Sequence, residues 1–104
     1  MKRWIIVLLC SGATLVQAGE PLGATEQAMQ GDYQAQRNLA YSFAAVKDYG
    51  QACAWYLLVL RSDSPKLNAG DVGNVKTYCD RLDFDARLAA ERKANALQRS
   101  IYGR

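Results

Sequence analysis

The chain has 104 residues, half of them hydrophobic and 22% charged, with a formal net charge of +3 and no histidine. A chain of this size makes one small domain with a limited core, of the kind that often carries a covalent staple. The missing histidine removes the commonest acid–base side chain and most catalytic triads. No run of like charge marks a nucleic-acid or anionic-membrane surface.

Residues 1–18 read as a secretory signal peptide. Lys2 and Arg3 start it, residues 4–16 are mostly apolar, and Val16-Gln17-Ala18 ends it with small residues at the two positions a signal peptidase reads. Cleavage is expected after Ala18. The apolar run is shorter than the roughly 20 residues a membrane-spanning helix needs, so no stable membrane insertion is expected. Residues 19–104 are then a single domain, periplasmic or secreted. Without Lys2 and Arg3, eleven basic and ten acidic residues remain, close to neutrality. Cys10 falls inside the apolar run behind Leu9, which does not suit lipid attachment.

The rest of the chain reads as helix throughout, with no convincing strand. Residues 24–30 form a short first helix stopped by Gly31. Asp32 caps a second helix over 33–45, where Ala35, Leu39 and Phe43 share one face. Residues 47–50 make a turn. A third helix covers about 49–61 and is apolar nearly all round (Ala52, Cys53, Trp55, Tyr56, Leu57, Val59, Leu60), which places it at the centre. Ser62-Asp63-Ser64-Pro65 ends it. Asp71 is the expected cap of a fourth helix over 72–81, weak by propensity at Gly73, Asn74 and Thr77. Asp83 caps a fifth over 84–100. The basic residues of that last helix, Arg87, Arg92, Lys93 and Arg99, are preceded by or interleaved with Asp83, Asp85 and Glu91, as on a solvated face.

Two cysteines remain after signal removal, Cys53 and Cys79. An even count in an exported small domain suggests a disulfide. Two thiols without histidine fall short of a four-ligand zinc site, and no Cys-x-x-Cys suggests a redox pair. Helices three and four should be antiparallel across their short link. Each cysteine then lies about 12 Å from the turn, so the two come side by side. Closing that loop should stabilise the fold by about 3–4 kcal/mol on the chain-entropy model.

From Ala28 the chain reads Ala28-x-x-Gly31-Asp32-x-x-Ala35-Gln36-x-x-Leu39-Ala40, then Phe43-Ala44, then Asp48-Tyr49-x-x-Ala52-x-x-Trp55-Tyr56. This resembles the Sel-one-like repeat, a sub-class of the tetratricopeptide-like repeats. The resemblance covers about one third of the residues after the signal. It implies a helix pair in which Ala35 and Ala52 permit close approach, and a module that binds proteins or peptides rather than catalysing a reaction. No second Gly-Asp-x-x-Ala-Gln follows. The segment after Arg61 would therefore act as a cap, since one repeat cannot bury its face alone. The expected fold is all-α: a small antiparallel bundle with one tetratricopeptide-like helix pair and a disulfide-stapled C-terminal cap.

Tyr33, Arg37 and Tyr41 make an i, i+4, i+8 stripe opposite Ala35, Leu39 and Phe43. Aromatic residues with arginine are what protein-binding hot spots favour. The alternative is that the two tyrosines pack on the N-terminal helix. Asp83-x-Asp85 reads as a cap plus a first-turn acid rather than a cation site. Glu26 and Glu91 are the only glutamates in helical segments, and nothing in the sequence pairs them for hydrolase chemistry. The expectation is a non-catalytic interaction module without cofactor or metal, its partner a protein or peptide. An inhibitor or immunity protein is the alternative, ahead of a small cell-wall hydrolase.

Overall fold

A computed structural model describes residues 24–104. The signal-peptide reading of residues 1–18 lies outside the described residues. Among these, five α-helices and no strand are found: α1 (Ala24–Met29), α2 (Tyr33–Ala45), α3 (Tyr49–Leu60), α4 (Ala69–Cys79) and α5 (Phe84–Tyr102). The all-α expectation holds, and each helix starts where local chemistry directs.

Gly31 takes φ +93°, a left-handed conformation that suits glycine and separates α1 from α2. Asp32 then accepts the Ala35 N–H at 3.0 Å, as an N-cap should. Such a cap contributes about 1 kcal/mol. The turn from α2 to α3 is Val46-Lys47-Asp48. Lys47 is left-handed (φ 65°), and the Asp48 carboxylate accepts the Gln51 N–H.

Helix α3 is the axis of the molecule. Its residues from 52 to 59 are all buried, because α2, α4 and α5 each pack on a different side of it. The buried alanines Ala35, Ala40, Ala44 and Ala52 let α2 and α3 approach closely within one cluster that also holds Leu39, Trp55, Tyr56 and Leu58. A second cluster joins α3 to α4 and α5 through Cys53, Ala54, Leu57, Cys79, Ala90 and Ala94. Phe43, expected on the buried face of α2, is half-buried at the edge of the first cluster.

The disulfide forms as the spacing predicts. Cys53 and Cys79 are fully buried, bonded at 2.02 Å, with Cα atoms 4.9 Å apart. Helix α4 itself begins three residues earlier than predicted. Asn68, not Asp71, is its N-cap: the Asn68 side chain accepts from the Gly70 and Asp71 N–H groups, and Asp71 returns a bond to the Asn68 N–H. This reciprocal box explains Gly70, where a Cβ would lie 2.9 Å from the capping oxygen of Asn68.

Helix α5 is capped by Asp83 as expected and runs two residues past its predicted end. The extension is stabilised by packing. Ile101 and Tyr102 reach Gly31, and the Tyr102 hydroxyl meets the fully buried Gln36. Gln36 also donates to the Ala28 carbonyl at 3.0 Å. One amide thus ties together α1, α2 and the end of the chain. Arg104 adds bonds to Asp63 and the Arg61 carbonyl.

Candidate functional site

The stripe on α2 does not stand alone. Helices α2 and α4 both pack on α3. Their N-terminal ends are joined by side chains rather than by close helix packing. The centre of that junction is Asp71, whose side chain has no exposure at all. One of its oxygens, Oδ2, accepts from the Tyr33 hydroxyl at 2.7 Å and from the Asn68 N–H at 3.0 Å. The other, Oδ1, accepts from Arg37 Nε at 2.8 Å and forms an ion pair with Nη2, also at 2.8 Å. The Arg37 guanidinium also covers the Tyr33 ring, 4.8 Å from its centroid. Tyr33 lies 3.0 Å from the Lys66 carbonyl as well, so its single proton is shared, with the shorter contact to the carboxylate.

The electrostatics follow from this geometry. Burial alone would raise the Asp71 pKa. The Tyr33 hydroxyl, the Asn68 N–H and Arg37 outweigh it and hold the carboxyl below its ordinary value. Tyr33 moves the other way. Burial, then the hydrogen bond and negative charge of Asp71, raise its phenol above the ordinary value. At neutral pH the set is therefore a carboxylate, a guanidinium and a neutral phenol.

Of the three stripe residues, Tyr33 and Arg37 are tied to α4, and Tyr41 is not. Tyr33 meets the start of α4 and the loop before it. Tyr41 sits two turns further along α2 and is 65% exposed. The Arg37 side chain is 26% exposed, so its outer edge still reaches solvent. The stripe is thus a fixed pair followed by an open ring.

Other candidate chemistry is placed as follows. Asp83 is spent on capping α5, with Asp85 in the first turn. Glu91 pairs with Arg87 at 3.1 Å on α5, and Glu26 is exposed on α1. No group of three or more potential metal ligands occurs among the described residues. No helix among them is long and apolar enough to cross a membrane. A shallow cavity of about 410 Å³ lies between the start of α3 and the first half of α5, lined by Asp48, Gln51, Ala86, Ala89, Ala90 and Lys93. The Gln51 Oε1 atom is buried beside it without a hydrogen-bond partner.

Sequence reasoning assigned Asp71 a capping role and missed its burial. The signal for the true cap was available in Asn68-x-x-Asp71, two residues of capping chemistry at capping-box spacing. The signal for the ion pair was not, because Arg37 and Tyr33 lie 34 and 38 residues away. Comparison of the chain with protein-family models, curated proteins and solved structures finds no match.

Proposed function

We propose that the chain is an exported, non-catalytic interaction module that holds a protein or peptide partner against the α2 face. The observation that carries this reading is the contrast within the stripe. Tyr41 is a large aromatic ring left open to solvent, and the residues one and two turns before it are immobilised by a buried carboxylate. A surface whose side chains are already fixed loses little conformational entropy on binding. Tyrosine and arginine are also the side chains that dominate binding energy at protein interfaces. The disulfide supports an oxidising compartment such as the periplasm.

The clean variant is Tyr41→Ala. It removes an exposed ring, so the melting temperature should hold while capture of a specific partner from a periplasmic extract is lost. Arg37→Ala is a poor probe of binding alone, since it strips a buried carboxylate of its cation. If Tyr41→Ala retains every partner of the parent protein, the α2 surface is not the binding face.

A further inference from the structure

Three tyrosines gather where α3 meets the C-terminal end of α4. Tyr49 and Tyr56 lie two turns apart on α3, and the ring of Tyr78 from α4 stacks with both. Its centroid is 5.9 Å from Tyr49 and 5.5 Å from Tyr56, with planes inclined by 19° and 11°. Tyr56 is buried, Tyr49 and Tyr78 are half-buried, and Tyr41 is open. After burial itself, the phenols of Tyr78 and Tyr41 are the main influences that raise the Tyr56 pKa.

Arg81, just beyond α4, lies over this stack. Its guanidinium carbon is 4.8 Å from the Tyr49 centroid and 5.9 Å from that of Tyr78. Stacking uses the flat face of the guanidinium and leaves its N–H edge outward. Arg37, Arg87 and Arg104 each meet a carboxylate. Arg61, Arg81, Arg92 and Arg99 meet none among the described residues, and of these four only Arg81 lies over aromatic rings. The neighbouring Asp80 does not serve it, being engaged by Lys76 and Arg87. An exposed cation held over two rings, with no carboxylate of its own, can turn its donors to one planar anion.

We infer that the Tyr49–Tyr78 surface, with Arg81 at its edge, takes an acidic peptide segment of a partner protein. A carboxylate side chain of that segment pairs with the outward edge of Arg81, and the residues beside it pack on the tyrosine rings. The assignment rests on the interaction-module reading above and adds the chemistry of the partner.

The test uses the purified, oxidised protein as bait for phage-displayed random dodecapeptides, followed by anisotropy of the selected sequences as fluorescein conjugates. The selected peptides should share an acidic residue. Arg81→Gln should weaken their binding about tenfold, and so should converting that acid to its amide. The two losses should not add, because they remove the same pair. Arg87→Gln should leave affinity unchanged, and Arg81→Gln should leave the melting temperature unchanged. Failure to select any peptide, selection without an acidic residue, or binding indifferent to Arg81→Gln overturns the assignment. Peptides that ignore Arg81 but are lost with Tyr41→Ala would sink the acidic partner alone. Peptides that ignore both would sink the interaction surface as well.

Discussion

Helix α4 is fastened to the body of the molecule differently at its two ends. Its last residue, Cys79, is bonded covalently to α3, beside the Tyr78 stack. Its first turn is held by the Asp71 junction with α2, a buried ion pair and its hydrogen bonds. The helix between carries Gly70, Gly73, Asn74 and Thr77, so its own propensity contributes little. The comparison shows how a weak helix is kept in place. A covalent link acts mainly by restricting the unfolded chain and is indifferent to moderate pH. The polar junction acts in the folded state and depends on charge. The first should fail on reduction and the second in acid.

The largest effect should come from the covalent end. Replacing Cys53 and Cys79 together by alanine removes a 26-residue closure and should cost about 3–4 kcal/mol. Chemical denaturation of the oxidised parent and of the variant measures this. A loss below about 1 kcal/mol would mean that the tyrosine stack and apolar burial hold that end without the bond.

The polar end should give the next largest effect. Asp71→Asn keeps the shape but sets an amide N–H₂ against the Arg37 or Asn68 donors, and should cost about 2–3 kcal/mol at pH 7. The sign of the pH dependence is fixed by the direction of the shift. A carboxyl whose folded pKa is depressed contributes stability above its unfolded value of about 4. That contribution is lost as pH falls through this value toward the folded one. The stability gap between parent and Asp71→Asn should therefore close in acid, while the gap to the variant without the disulfide stays open. Parallel curves for parent and Asp71→Asn from pH 7 to pH 2 would show that the carboxylate charge does not matter at this junction.

The two ends also differ in how far the sequence revealed them. The disulfide was legible because it follows from helix lengths and a short link, both local properties. The limits of α2, and the caps Asp32 and Asp83, were legible for the same reason. The junction was not. Asp71 on its own is an ordinary capping residue, and only the register of α2 against α4 makes it a buried ion. Gln36 repeats the lesson. It stands on α2 beside Ala35 as an unremarkable polar residue, and it becomes a buried tie only because Tyr102, 66 residues later, returns to meet it. Tertiary partners of this kind leave no periodic trace. The open ring of Tyr41 was legible as part of a stripe, but its division from Tyr33 and Arg37 came only with the position of α4.

Tyr33→Phe isolates the smallest part of the junction. It keeps the ring under the Arg37 guanidinium and removes only the hydroxyl, leaving Asp71 with Arg37 and the Asn68 N–H. Because the lost bond is to a charged acceptor but other donors remain, the cost at pH 7 should be about 1–2 kcal/mol. Here the pH sign is opposite to that of Asp71. A phenol with a raised folded pKa contributes stability that is complete below its unfolded value of about 10. It is lost as pH rises through the folded value. The parent should thus lose its advantage over the phenylalanine variant at the alkaline limit and keep it at pH 7. Asp71→Asn combined with Tyr33→Phe should cost less than the two changes summed, since both act on one bond. Strict additivity would mean that the hydroxyl serves the Lys66 carbonyl instead, and that the loop before α4, not its first turn, is what Tyr33 holds.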